Sequence, residues 1–241
     1  MIAMHNELRE VIISGGRKLG LSVSEETVNK YEQYYQKLLE ENKKYNLTAI
    51  TAAAEAAEKH FLDSLLLVED LQEIYNTSVV DIGSGAGFPG LPLKIYLPGL
   101  KMTLLDAVGK KVLFLQQVIN ILELYNVVAV HARVEEFAAN HRESYHVAIS
   151  RAVAELRVLV EYALPLVQVG GMFIASKGPA INEELRAAEQ AIEILGGRLE
   201  KVREIALPLS KERRSIVIIK KISDTPAKYP RRAGIPKKRP L

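Results

Sequence analysis

Glycines at alternate positions follow a short apolar run in residues 79–90, VVDIGSGAGFPG. The valines and the isoleucine predict a buried strand, and the glycines predict a turn from that strand into a helix. Glycine is needed where the backbone adopts φ > 0 or approaches a ligand closely. Such a turn presents free N–H groups and the positive end of a helix dipole at one point. The stretch therefore predicts a seat for an anionic or polar cofactor group.

Two overlapping patterns in this stretch indicate different cofactors. Gly85-x-Gly87-x-x-Gly90 fits the dinucleotide fingerprint, whereas Asp81 followed by glycines at every second position resembles the S-adenosyl-L-methionine (SAM) loop of Rossmann-like methyltransferases. A carboxylate inside the turn would repel a pyrophosphate, but it suits the ammonium and sulfonium groups of SAM. Asp81 therefore favours SAM over a dinucleotide.

A second acid, Asp106, ends a predicted strand and lies 23 residues after Gly83. An acid about 20 residues beyond such a loop can accept hydrogen bonds from ribose hydroxyls. Because NAD and SAM both contain a ribose, Asp106 supports a nucleoside cofactor without choosing between the two.

Composition limits the class of protein. The 241 residues are 48% hydrophobic and 25% charged, which is typical of a globular chain with a sizeable core. The absence of cysteine excludes disulfides and thiolate chemistry and fits a reducing cytoplasm. The first nine residues lack the apolar run of a signal peptide, and no stretch is long enough for a membrane helix. We find no metal-ligand spacing around His60 and expect no metal site.

The elements that must position the loop change character near residue 76. Residues 1–70 are helical in pattern, with Ser24 as a helix N-cap and a tyrosine stripe that we assign to the core rather than to base stacking. Beyond residue 76, strands alternate with helices, which predicts a mostly parallel sheet, and the short link 208–214 predicts a final antiparallel hairpin. The predicted strands are 78–82, 101–106, 127–132, 146–150, 171–176, 201–207 and 215–221, and the predicted helices between them are 90–97, 110–124, 154–168 and 182–195.

We thus predict an α/β fold: a Rossmann-like, seven-stranded, mostly parallel sheet with helices on both faces and an N-terminal helical extension. The predicted parts are a helical extension (1–75), a methyltransferase-like domain (76–224) and a basic, proline-rich tail (225–241). The tail carries six cations and no acid, so subtracting it from the net charge of +3 leaves −3 on residues 1–224. A basic tail of this kind suggests a polyanionic partner, and we expect the tail to have little regular structure.

Nearly the whole chain resembles the bacterial 16S ribosomal RNA guanine-N7 methyltransferase family, also called RsmG or glucose-inhibited division protein B. The Gly-Phe-Pro-Gly ending of the loop and the Ser-Arg-Ala after the fourth strand are more specific than the glycines alone. The motifs that carry the resemblance are 46–48 (NLT), 60–65 (HFLDSL), 81–90 (DIGSGAGFPG), 105–107 (LDA), 109–111 (GKK), 133–137 (RVEEF), 150–152 (SRA) and 225–232 (TPAKYPRR).

The resemblance implies SAM contacts at Gly83, Phe88, Val134, Glu135 and Arg151. Position 134 is often alanine in the family, but valine can contribute the same backbone atoms. An arginine close to the sulfonium would be unfavourable, so Arg151 is better placed on the SAM carboxylate or on an RNA phosphate. The alternative for Arg151 is a solvated side chain at the end of a strand.

The reaction that the resemblance implies needs no general base, because N7 of neutral guanine carries a lone pair and no proton. We therefore assign no catalytic acid or base. The implied partner is 16S rRNA or the small ribosomal subunit, and we expect a cytoplasmic monomer. Candidate phosphate contacts are the tail cations, Lys110, Lys111, Lys211, Arg213 and Arg214. The alternatives are a SAM-dependent small-molecule methyltransferase, which the basic tail disfavours, and a non-catalytic RNA-binding protein, which the complete cofactor pattern disfavours.

Overall fold

A seven-stranded mixed sheet organises the computed structural model, which describes residues 2–71, 76–151 and 154–241. The strand order is β3-β2-β1-β4-β5-β7-β6. Strands β1 to β5 are parallel, and β7 runs antiparallel between β5 and β6, as the short final link predicted. The strands are β1 (Ser78–Ile82), β2 (Lys101–Asp106), β3 (Val127–His131), β4 (Tyr145–Arg151), β5 (Val167–Lys177), β6 (Gly197–Ala206) and β7 (Arg213–Lys221).

The order of the strands reverses beside β1, which pairs with β2 on one side and with β4 on the other. In open α/β sheets, ligands bind in the crevice beyond the carboxyl ends of the strands at such a point. The glycine loop leaves β1 at this end. The topology therefore places the loop where a cofactor crevice is expected.

Helices cover both faces of the sheet because successive strand residues point to opposite faces. Val79 packs in the core on one face, and Val80 packs in the core on the other. The helices are α1 (Ile2–Lys18), α2 (Glu25–Tyr45), α3 (Ala53–Ala56), a π-helix (Ala57–Leu62), α4 (Asp63–Leu65), α5 (Val68–Leu71), α6 (Gly90–Tyr96), α7 (Gly109–Ile121), α8 (Val134–Asn140), α9 (Leu156–Ala163), α10 (Ile181–Ile194) and α11 (Ile235–Lys238).

The tyrosine stripe of α2 is buried in the core, as predicted. Ser24 caps the helix by accepting a hydrogen bond from the Thr27 N–H. The Tyr31 hydroxyl donates to the Pro92 carbonyl (2.9 Å), and the Tyr34 hydroxyl donates to the Ala86 carbonyl inside the glycine loop. These buried hydroxyls tie the N-terminal helices to the loop and to α6, since a buried hydroxyl without a partner is costly.

The predicted helix 154–168 was too long, and strand β5 begins earlier than expected. Helix α9 ends at Ala163, and β5 starts at Val167. A bulge shifts the pairing between Tyr145 and Val147 of β4 at the level of Gly170, whose φ is +86°. The glycine pair resembles a break in the sequence, but it bends a continuous strand at this bulge.

The expectation that the tail has little regular structure was wrong. Tyr229 is buried, and the Arg142 guanidinium donates to its carbonyl (2.7 Å). The Arg231 guanidinium pairs with the buried Glu161 carboxylate (2.5 Å). The tail then ends in helix α11. The chain around it offers buried acceptors, so residues that look like a linker in sequence are held against the fold.

Two sequence predictions fall at residues outside the described ranges. Ala152 of the Ser-Arg-Ala motif is one, and residue 75, the end of the predicted helical extension, is the other. The division of the chain at 75/76 and at 224/225 stays a prediction.

Candidate functional site

The glycine loop turns sharply between β1 and α6. Gly83, Gly85 and Gly87 have φ of +70°, +59° and +98°, a region that other residues rarely adopt. The Gly83 N–H donates to the Leu105 carbonyl of β2 (2.8 Å), which fixes the loop against the neighbouring strand. A Cβ atom at Gly87 would lie 2.4 Å from the Tyr34 hydroxyl oxygen. Both backbone conformation and close packing therefore require glycine here.

Asp81 anchors the loop from inside the protein. Its side chain is fully buried, and its Oδ2 accepts a hydrogen bond from the Gly90 N–H (3.0 Å) at the start of α6. Burial raises the pKa of Asp81 to about 7, although Ser84, the Gly90 N–H and Arg151 oppose the rise. Among the described residues, its Oδ1 has no hydrogen-bond partner. Asp81 is not among the residues that line the adjacent cavity, so its main visible role is to hold the loop.

A cavity of about 440 Å³, here called the cofactor cavity, opens at the carboxyl ends of β1, β2, β3 and β4. Five of the six predicted cofactor residues line it, and they come from four separate parts of the chain. The lining includes Gly83, Asp106, Val134, Glu135 and Arg151, together with Lys111, Arg133, Tyr162, Gly234 and Lys237.

Phe88, the sixth predicted residue, does not line the cofactor cavity in the described structure. Its ring is buried and stacks on Tyr34 (5.3 Å between centroids) and on His60 (4.3 Å). The Arg151 guanidinium lies over the same ring at 5.3 Å. Phe88 therefore supports the wall of the cavity through Arg151.

Asp106 is tied to the loop and still has acceptor capacity. Its Oδ2 accepts from the Gly85 N–H (2.9 Å) and its Oδ1 accepts from the Val108 N–H (2.8 Å). Each carboxylate oxygen has two lone pairs, so each can accept one further hydrogen bond. The arrangement suits a pair of ribose hydroxyls.

Val134 and Glu135 begin helix α8, where the first N–H groups have no partner within the helix. The Glu135 carboxylate is buried, and its Oε1 accepts from the Gly234 N–H of the tail (2.8 Å). Burial, together with Glu135 and Glu161, raises the pKa of Tyr162 to about 12. This side of the cavity is therefore closed by Tyr162 and by the tail.

Sequence reasoning missed Tyr162, Gly234 and Lys237. None of them lies in a motif with a recognisable spacing, and Gly234 is 99 residues from the Glu135 that it contacts. The nearest signal was the family-like tail motif, which did not show where the tail would lie.

Arg151 ends β4 and is neither solvated nor free. Its side chain is 14% exposed, and its Nη1 donates to the Lys59 carbonyl (2.9 Å) and lies 3.4 Å from Asp63 Oδ2. Burial lowers the pKa of Arg151, and the carboxylates of Asp63 and Asp81 oppose that shift. The alternative of a solvated strand-end arginine is wrong. Arg151 also lines a second cavity beside the first.

The cations predicted to contact RNA lie in different environments. Lys110 is exposed and Lys111 lines the cofactor cavity at the start of α7. Lys211 and Arg213 are exposed in or next to the β6–β7 link. Arg214 is largely enclosed, with its Nε 3.2 Å from Asp63 Oδ2. Only some of these cations are thus accessible to a polyanion.

Within the described ranges, no group of three or more His, Cys, Asp and Glu side chains is placed to hold a metal ion. None of the described helices is both long and apolar enough to cross a membrane.

Comparison with protein families gives one clear match. The family model described as rRNA small subunit methyltransferase G matches residues 27–221. A protein named ribosomal RNA small subunit methyltransferase G from Pelotomaculum thermopropionicum is 48% identical over 97% of this chain and 99% of its own length. Another from Desulforamulus reducens is 45% identical over 98% of this chain and 99% of its own length.

Comparison with solved structures shows the fold. The precorrin-6y C5,15-methyltransferase of Geobacter metallireducens GS-15 superimposes with a TM-score of 0.51 and 14% identity, over 66% of this chain and 87% of that chain. TYW2 of M. jannaschii, solved in complex with AdoMet, gives a TM-score of 0.52 and 15% identity, over 65% of this chain and 74% of that chain. The sheet of this protein is thus of the Rossmann-like kind that methyltransferases share.

Proposed function

This chain belongs to the rRNA small subunit methyltransferase G family, and from that premise we propose that it transfers a methyl group from SAM to N7 of a guanine in 16S rRNA. The observation that carries the proposal is the cofactor cavity. Gly83, Asp106, Glu135 and Arg151 converge there from four parts of the chain, at the point where the strand order reverses.

The residues around the cofactor cavity fit SAM, which supplies an electrophilic methyl group when bound. The volume of about 440 Å³ is within the range of about 300–1,000 Å³ that small-molecule sites span. Asp106 would accept from the ribose hydroxyls, and the backbone N–H groups at the start of α8 would donate to the adenine edge. Arg151 would pair with the SAM carboxylate.

The chemistry asks little of the side chains beyond placement. Because N7 of guanine has a lone pair and no proton, no residue has to remove one. The protein contributes by aligning the base with the methyl group and by excluding competing contacts. This explains how the cavity can serve a methyl transfer without an assigned general base.

The exposed cations support an RNA substrate. Lys/Arg contacts to phosphate supply much of the affinity of nucleic-acid binding, and Lys110, Arg213 and several tail cations are exposed. We propose that the partner is 16S rRNA, free or within the small ribosomal subunit, and that the protein acts in the cytoplasm as a monomer.

The experiment that tests this function has two parts. Calorimetry measures SAM binding, and methyl transfer is measured on naked 16S rRNA, on small subunits and on free nucleosides, with the modified atom identified by mass spectrometry. We expect SAM binding and N7-methylguanine in rRNA only. Equal transfer to free nucleosides would favour a small-molecule methyltransferase, and a failure to bind SAM would favour a non-catalytic RNA-binding protein.

A further inference from the structure

A second cavity lies beside the cofactor cavity, and Arg151 lines both. This second cavity has a volume of about 540 Å³. Its walls come from the π-helix, from the start of α4, from the ends of β4 and β5 and from the start of β7. The wall residues used below are Lys59, His60, Asp63, Arg151, Ser176 and Arg214.

Three buried polar atoms in this wall have no hydrogen-bond partner among the described residues: Asp63 Oδ1, Ser176 Oγ and His60 Nδ1. Their residues are 4%, 2% and 8% exposed. Buried polar atoms in folded proteins are nearly always paired. Three unpaired atoms around one cavity therefore indicate a polar ligand that supplies their partners.

Asp63 is held in place by two arginines. Its Oδ2 lies 3.2 Å from Arg214 Nε and 3.4 Å from Arg151 Nη1. The second oxygen, Oδ1, is left as an anionic acceptor with a fixed position. Such an acceptor selects a ligand that presents an N–H or O–H group to it.

The His60 ring gives the cavity a neutral aromatic wall. It stacks on Phe88 at 4.3 Å, and its Nε2 is 2.9 Å from the Thr48 hydroxyl. Burial lowers the pKa of His60 to about 4, so the ring is uncharged near neutral pH. The residue lies in a π-helix, a distortion that is frequent at functional sites.

The two cavities together match the edge of a guanine. Around the guanine ring, the O6 acceptor lies between the N1–H donor and N7. A base whose O6 accepts from Arg151, at the junction of the cavities, can give its N1–H to Asp63 on one side. Its N7 then lies on the other side, toward the cofactor cavity. Adenine has an amino donor at the place of O6 and no proton on N1, so both contacts would be repulsive.

We propose that the second cavity holds the target guanine, flipped out of the RNA, and that Asp63 is the residue that selects it by accepting from N1–H. The inference rests on the proposed function. Enzymes that modify a base commonly extrude it into a pocket and recognise its Watson–Crick edge. The assignment gives a role to the HFLDSL motif, which the cofactor cavity does not use.

The test uses Asp63→Ala and Asp63→Asn in the full-length protein. The control is Asp70→Ala, because Asp70 is also buried and paired with an arginine (Arg203, 2.5 Å) but lines neither cavity. SAM affinity is measured by calorimetry, and methyl transfer is measured on small subunits whose 16S rRNA lacks the modification. A second substrate carries 1-methylguanine at the modified position, introduced by ligation of a synthetic RNA segment before reconstitution.

We expect both Asp63 variants to bind SAM within about threefold of the parent protein and to lose at least about tenfold in kcat/KM on the normal substrate. The parent protein should reject 1-methylguanine, which has no N1–H and a methyl group in its place. Asp63→Ala should narrow that preference for guanine at least about tenfold, an effect that a purely structural role would not produce. Asp70→Ala should leave the preference unchanged.

Two results would count against the assignment in distinguishable ways. Absence of any methyl transfer by the parent protein would refute the proposed function and the guanine assignment with it. Transfer that both Asp63 variants retain, or lose with an unchanged preference for guanine over 1-methylguanine, would overturn the guanine assignment alone.

Discussion

At the scale of single residues, the cofactor cavity depends on carboxylates that hold the backbone of the glycine loop. Asp106 accepts from two N–H groups in and near the loop, and Asp81 accepts from one at its end. Asp106 also faces the cavity, whereas Asp81 lies behind it. Because the two acids differ in burial and in access to the ligand, they are expected to respond to different experiments.

For Asp106→Ala we expect weaker SAM binding with the fold retained. The variant loses hydrogen bonds from ribose to a charged group, worth about 1.5–3 kcal/mol, or roughly a tenfold to 150-fold rise in Kd. Calorimetry measures the Kd, and Asp106→Asn, which keeps one acceptor, serves as the milder comparison. NAD should not bind the parent protein, and measurable NAD affinity would revive the dinucleotide interpretation.

Asp81 should make stability depend on pH. An acid with a raised native pKa binds its proton more tightly in the native than in the unfolded protein. Its stabilising contribution is present below the unfolded pKa near 3.8 and is lost as the pH rises through about 7. Urea unfolding at pH 5 and pH 8 should show a larger fall in free energy for the parent protein than for Asp81→Asn. Equal falls would contradict this account.

At the scale of elements, the glycine loop and the tail both work through backbone placement. The loop brings β1, β2 and α6 together, and the tail crosses from β7 to the far side of the cofactor cavity. Each depends on a few residues that local sequence rules identify only in part.

For the loop, Gly83→Val should abolish SAM binding, because valine is strained at φ +70° and would fill space beside the ligand. Gly170→Val is the matched control: Gly170 has φ +86° but open space around it and lies outside the cofactor cavity. The control should lose stability and keep SAM affinity. A folded Gly83→Val protein with unchanged affinity would refute the loop assignment.

For the tail, Arg231→Ala should destabilise the protein far more than Arg232→Ala. The first change leaves the fully buried Glu161 carboxylate unpaired, whereas Arg232 is exposed and carries the same charge. Breaking a buried pair costs up to about 3–5 kcal/mol, and the 25% exposure of Arg231 places the expected loss below that limit. Denaturant unfolding measures both variants, and similar losses would contradict the role of the pair.

At the scale of the whole molecule, the basic tail combines two properties that the sequence suggested were separate. Tyr229 and Pro236 are buried, and Gly234 and Lys237 line the cofactor cavity. Other tail cations, such as Arg232, are exposed. The tail is thus part of the fold on one side and a charged surface on the other.

Deleting residues 225–241 should therefore lower the melting temperature and weaken SAM binding, contrary to the expectation from the sequence that SAM affinity would survive. A charge variant separates the second property: Arg232→Gln with Lys238→Gln and Arg239→Gln should keep stability and SAM affinity. Its slope of log RNA affinity against log salt should become shallower by roughly 0.7–0.9 for each phosphate that these cations neutralise in the parent complex. An unchanged slope would show that these cations do not bind the RNA.

The sequence by itself determined the strand–loop–helix around Gly83, the order and type of the elements, and five of the residues that meet in the cofactor cavity. These follow from rules that act over a few residues: alternation in strands, the conformational freedom of glycine, and an acid at the end of a strand. The tertiary structure alone decided that Phe88 supports Arg151 from behind, that the tail closes the cavity through Gly234, and that Asp63 meets Arg151 and Arg214. Those contacts join residues far apart in the chain, and their energies depend on burial, which local sequence patterns do not specify.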